Sequence, residues 1–245
     1  MAVLIAALSV VAESYITGAY ALIVTAGLIG RWVAYEPSLP EGEVRLLAEQ
    51  SDLPLEASGT RAAGWWGMLS LLAVLFTLLG ALVYSYFYLR LYSDQWPQAG
   101  LPAPDPTAPS AALSMIAAGA MAQVFAARGR LRNRLAAIRW GIAVSIALGS
   151  GFVAVEVADL IRTPFLPTAN AYASIYFTLS GFSILIVFSA VAFQVGALAR
   201  LIARREPLDK PRLRLWLQNS EMLWFFALGA AVVALLTTRL VPHVL

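Results

Sequence analysis

From Ala171 to Ala199 the chain carries no charged side chain, and the segment YASIYFTLSGFSILIVFSAVAF within it, Tyr172 to Phe193, offers only hydroxyl groups. The uncharged run outlasts the roughly 20 apolar residues needed to cross a hydrocarbon core about 30 Å thick. Extended to Ile202, it is one of five such runs, the others being Trp65 to Leu91, Ser110 to Ala127, Leu135 to Leu160 and Trp216 to Leu240. Inside lipid every backbone N–H and C=O must find a partner within the protein, so runs of this length fold as helices. Charged residues make up only 13% of the sequence, against about a quarter in soluble domains. The expectation is an all-α, polytopic transmembrane bundle.

Before Trp65 the chain is harder to read. Tyr15 to Tyr35 is long enough to cross, whereas Ala2 to Ala12 is too short for a straight span. The short run is either the first arm of a tight hairpin turning near Glu13 and Ser14, or the apolar core of a cleaved signal. The hairpin is preferred because no Lys or Arg precedes the run. This gives about seven helices, two plus five, organised as an N-terminal hairpin (1–36), a linker (37–64) and a five-helix bundle (65–245). The stretch DQWPQAGLPAPDPTAPS is proline-rich and reads as a stiff external strap with Trp96 at the interface.

Orientation follows from the basic residues, which concentrate in short cytoplasmic connections. Arg128, Arg130, Arg132, Arg134 and Arg139 fall in or beside one connection, and Arg200, Arg204, Arg205, Lys210, Arg212 and Arg214 in another; together they are eleven of the 17 Lys and Arg residues. Placing both connections inside puts the N-terminus inside and the C-terminus outside, in a bacterial cytoplasmic membrane. Arginines flanking spans anchor topology and attract anionic head groups; no basic groove with stacking aromatics suggests nucleic acid.

The same residues bound the chemistry. There is no cysteine, and His243 is the only histidine. A haem with an axial imidazole, or a copper or zinc centre built on several, finds no ligands in the apolar runs, so no cofactor, metal or catalytic group is expected in this chain. The middle of each run also lacks ionisable residues, which leaves little for a proton or ion path. Glu156, Asp159 and Arg162, spaced three apart at one helix end, are candidate interfacial ion pairs. Trp65, Trp66, Tyr86, Tyr88, Arg139 and Trp224 lie near span ends, where aromatic belts and cations form, and are candidate lipid or subunit contacts. Small residues every fourth position, Ser110, Ser114, Ala118 and Ala122 on one helix and Gly141, Ser145 and Gly149 on the next, predict a close-packed pair.

Several stretches, GWWGMLSLLAVLFTLLGALVYSYFYLR, WPQAGLPAPDP, NAYASIYFTLSGFSILIV and LQNSEMLWFF, resemble in order and spacing subunit III of haem–copper cytochrome c oxidases, most closely the form fused behind subunit I in some bacteria. The resemblance implies seven helices, a V-shaped cleft holding phospholipid, a catalytic subunit I as partner, and haems and copper confined to the partner subunits. Quinol oxidase subunits and the similar protein associated with nitric oxide reductases are close variants. The family's ionisable landmarks are exchanged here: Val74 and Leu75 stand where a Thr-Glu pair is usual, and Ser183, Ile186 and Phe225 where histidines are usual. The expected function is therefore a non-catalytic subunit of a respiratory terminal oxidase that supports the catalytic subunit, binds lipid and offers apolar oxygen a path. The alternative is a small stand-alone transporter or channel.

Overall fold

The computed structural model describes residues 62–97, 107–203 and 211–244, all within the unit Glu56–Leu245. The expected N-terminal hairpin, most of the linker, the middle of the proline-rich strap and part of the second basic connection lie outside the described residues. Five long helices carry the fold: α1 (Ala63–Leu91), α2 (Thr107–Leu131), α3 (Leu135–Arg162), α4 (Ala171–Ala203) and α5 (Pro211–Leu235). After α5 come a π-helical turn, Leu236–Leu240, and the short α6, Val241–Val244. The shortest long helix has 25 residues and is about 37 Å in length, enough to cross a hydrocarbon core. Five helices are long and apolar enough to span.

Local chemistry sets the helix ends. Asn133 adopts φ 52° in the turn between α2 and α3, a left-handed conformation that Asn tolerates better than most residues. That turn closes with the Arg134 N–H donating to the Gly129 carbonyl at 2.8 Å. α3 stops at Arg162, two residues before Pro164, and the Thr163 hydroxyl donates to the Asp159 carbonyl. At the start of α4, Asn170 Oδ1 accepts from the Ala173 N–H at 2.8 Å, a capping bond that satisfies an otherwise orphan donor. Pro211 opens α5, where its missing N–H costs nothing. Within the spans Thr77, Ser85, Thr178 and Ser189 each donate to the carbonyl four residues back, so lipid-facing hydroxyls are satisfied inside their own helix.

α2 and α3 are joined by the tightest turn and pack antiparallel; α3 packs on α4, α4 on α5, and α5 back on α2. α1 rests against α4 and α5 and remains the most exposed helix. The α3 stripe expected from sequence is buried: a Cβ at Gly141 would come 2.7 Å from the Ala122 carbonyl oxygen, so the helix backbones meet closely there. The α2 stripe is corrected. Ser110, Ser114 and Ala118 are exposed, and α2 instead buries Ala112, Ile116, Gly119, Gln123 and Ala126. Small residues favour close approach wherever a partner exists, but hydroxyls and methyls of this size are equally at home against lipid.

Candidate functional site

Charge is segregated to the two ends of the unit. At the end where α2 and α4 finish, Arg130 and Glu221 form a salt bridge of 3.0 Å, and Arg139 Nη2 donates to the Leu201 carbonyl at 3.0 Å. Arg200 lies 4.1 Å over the Trp216 ring, which stacks on Phe193. Asn219 Nδ2 donates to the Gly64 carbonyl at 3.1 Å, fastening the start of α1 to α5.

The opposite end is more enclosed. Arg239 Nη2 donates to Asp159 Oδ2, and the guanidinium lies 4.6 Å from the centre of the Tyr176 ring. Arg239 reaches this position because the last turn of the span is π-helical. In an undisturbed α-helix, residue 239 would be about 140° round from the buried Ala234, five positions earlier. The five-residue spacing of the π turn returns it to that buried face, and Thr237, Thr238 and Arg239 are all enclosed. Beside it, Glu156 lines a cavity of about 10 Å³, room for about one water molecule, together with Ser180, Ser183 and Thr238. An aromatic cluster packs the same end: Trp96 Nε1 donates to the Tyr86 hydroxyl at 2.8 Å, and the Trp96 ring meets Tyr172 edge-on with centroids 4.9 Å apart.

Between these ends the interior is neutral. Glu221 and Arg239 both follow from α5 and its π turn, eighteen positions apart, or about 27 Å, close to the hydrocarbon thickness of a bilayer. Three of the buried polar groups in that interval form one neutral network: Gln123 Nε2 donates to Ser145 Oγ at 2.6 Å, and Ser145 hydrogen-bonds Gln194 Oε1. Beside it the Trp224 ring fills a slot left by Gly119 and Gly149; a Cβ at either glycine would lie 2.6 Å from the ring. The chain has the build of a multi-pass membrane protein. Compared with protein-family models and with curated proteins, the sequence matches none.

The residues singled out in the sequence separate clearly in space. Glu156 and Asp159 sit together, but the cation between them is Arg239; Arg162 is exposed at the helix end and is not part of the Asp159 salt bridge. Trp66 and Tyr88 are exposed and Trp65 is half-buried, all compatible with a lipid-facing surface. Tyr86 and Trp224 are not lipid contacts within this unit: both are wholly buried, Tyr86 against Trp96 and Trp224 at the centre of the main core. Arg139 is half-buried and spends one donor on the Leu201 carbonyl. Trp96 is partly buried among the tyrosines instead of lying free at an interface. Of the positions where the resembled family carries ionisable groups, Ser183 faces the Glu156 cavity, Ile186 is core, and Val74 and Phe225 are exposed. Sequence reasoning passed over Arg239; its signal was a single cation closing an apolar run directly after two threonines.

Proposed function

We propose that this chain is a non-catalytic integral subunit of a respiratory terminal oxidase, similar in kind to subunit III of haem–copper cytochrome c oxidases. The observation that carries the reading is the neutral interval of about 27 Å between the Glu221 and Arg239 levels. Among the described residues the titratable groups buried within it, Glu156 and Tyr176, lie beside Arg239 at one end, and none is buried between them and Glu221 to pass a proton on to the other face. Such an interior suits a scaffold and a wall for lipid tails. The ordered resemblance of four sequence stretches supplies the particular complex.

On this reading the chain has seven helices with the N-terminus inside and the C-terminus outside, in a bacterial cytoplasmic membrane. It packs beside a catalytic subunit I, holds phospholipid in a V-shaped cleft, and presents an apolar route to oxygen. Electron transfer and oxygen reduction belong to the partner subunits that ligate haem and copper. Purification in a mild detergent followed by an absorption spectrum tests the reading. Co-purifying haem a supports it, and a colourless, homogeneous protein overturns it.

One feature favours a stand-alone transporter, the buried Gln123–Ser145–Gln194 network. It lies six or seven positions, roughly 10 Å, inside Arg130, Arg139 and Arg200 on the respective helices. Solute or ion flux in vesicles containing this polypeptide alone, abolished by Ser145→Ala, would replace the oxidase reading with that one.

A further inference from the structure

The enclosed cluster around Arg239 holds more acid than base. Glu156 and Asp159 on α3 face one guanidinium, that of Arg239, while α4 presents the Tyr176 ring to it and α2 contributes only Pro109 and Leu113 to the adjoining cavity. Arg239 is 3% exposed and Glu156 6%. Asp159 takes the salt bridge. No described residue reaches the Glu156 carboxyl with a hydrogen bond or salt bridge, and it borders the cavity instead. Two of the three hydroxyls around that cavity already spend their protons: Ser183 donates to the Ser180 carbonyl and Thr238 to the Ala234 carbonyl, so both are left as acceptors.

Two ionised carboxylates against one guanidinium would leave a net negative charge in an enclosed, apolar surrounding, which is costly. One proton restores neutrality. It belongs on the acid without a salt bridge, because the other is already stabilised by Arg239. A protonated carboxyl also adds a donor beside the acceptor oxygens of Ser183 and Thr238.

We propose that Glu156 is a proton-binding site, holding one exchangeable proton as a carboxylic acid bonded to a single water in the 10 Å³ cavity, while Asp159 remains the counter-ion of Arg239. Release breaks the Glu156 O–H bond, leaves a carboxylate and passes the proton to the water. The cluster then carries one more negative charge, and Arg239 faces two carboxylates. The neutral interval on its other side confines this exchange to one end of the unit.

Infrared difference spectroscopy of the full chain in lipid nanodiscs, titrated with pH in H₂O and D₂O, tests the proposal. The wild type should show the C=O stretch of one protonated carboxyl per chain, shifted in D₂O and lost as the pH is raised. Glu156→Gln should remove that band. Asp159→Asn should also remove it, because Glu156 then becomes the counter-ion of Arg239 and gives up its proton. Absence of the band in the wild type, its survival in Glu156→Gln, or an unchanged band in Asp159→Asn would each overturn the assignment. Should Glu156→Gln fail to fold, the wild-type titration and Asp159→Asn still decide the matter.

Discussion

The two charged ends of the unit use the same residue types to opposite effect. At one, Arg130 and Glu221 pair with 20% and 19% of their side chains exposed, among further arginines with room to reach the head-group region. At the other, Arg239 is enclosed, its charge met by Asp159, its face covered by Tyr176 and a second acid close by. The first end is rich in cations and partly wet, so each of its pairs is worth little and the set as a whole fixes topology. The second encloses its cation, Arg239 being 3% exposed although Asp159 is 17% exposed, and removing the cation leaves two acids without a partner. Position in the bilayer alone does not separate them; enclosure does.

The largest effect should therefore come from breaking the enclosed pair. Arg239→Leu strands Asp159 and is expected to cost about 3 to 5 kcal/mol, read as a fall in the midpoint of denaturant unfolding in detergent micelles. Adding Asp159→Leu to it should restore most of the loss, because no buried charge is then left unpaired. If Arg239→Leu unfolds like the wild type, the end is open to water and the contrast collapses.

Next in size is a charge placed in the neutral interval. Ile186 is 2% exposed within the main core, and Ile186→Lys should cost about 3 kcal/mol, the penalty seen for a cation at mid-helix. Leu75→Asp on the more exposed α1 should cost less, since its side chain is only partly packed against that core. Equal losses at the two positions would show that enclosure is not the controlling variable. The same measurement sharpens the proposed function, because a chain that tolerated Lys at residue 186 would not have the dry interior on which the scaffold reading rests.

A packing comparison gives smaller changes. A Cβ at Gly149 would lie 2.6 Å from both Trp224 and Val191, whereas nothing lies within 4 Å of one at Gly80 on α1. Gly149→Ala is expected to destabilise by about 1 to 3 kcal/mol through overpacking. Gly80→Ala should leave stability unchanged or raise it by up to about 1 kcal/mol through helix propensity. Thermal unfolding of the two variants side by side checks the sign as well as the size.

These contrasts also show what could be read in advance. Span positions were legible because lipid crossing requires long apolar runs: the expected Leu135 to Leu160 and Ser110 to Ala127 became Leu135–Arg162 and Thr107–Leu131, the difference being polar residues that continue a helix beyond the hydrocarbon. Which face of a span meets protein was much less legible. In water, burial selects apolar residues and leaves a stripe in the sequence; in lipid both faces are apolar and the stripe disappears. Hence Trp224 and Tyr86, aromatic and near span ends, read as interfacial anchors although the structure buries both. The small-residue rule picked the correct face on α3, where Gly141 and Gly149 sit in close contacts; on α2 it held for Ala122, whose carbonyl meets Gly141, and failed for Ser110, Ser114 and Ala118, which are exposed while Gly119 meets Trp224. Asp159 was legible as half of an ion pair, but Arg162 was the nearer cation in sequence. Its actual partner depends on a π turn eighty positions away, for which the residues of α3 hold no signal.

The smallest expected effect is the most diagnostic of the comparison. Glu221→Gln removes the acid from the Arg130 pair while keeping its shape, and with both side chains about a fifth exposed at 20% and 19%, water and head groups can take over the released guanidinium. The loss should be no more than about 1 kcal/mol and should shrink further as salt is added, since screening weakens a pair that solvent reaches. The isosteric change at the other end, Asp159→Asn, should be less sensitive to salt, because its partner Arg239 is only 3% exposed even though Asp159 itself is 17% exposed. Stability of both variants measured at low and high ionic strength therefore separates two ends that carry similar charges: a loss at Asp159 as salt-dependent as that at Glu221 would mean that enclosure of Arg239 does not shield its pair.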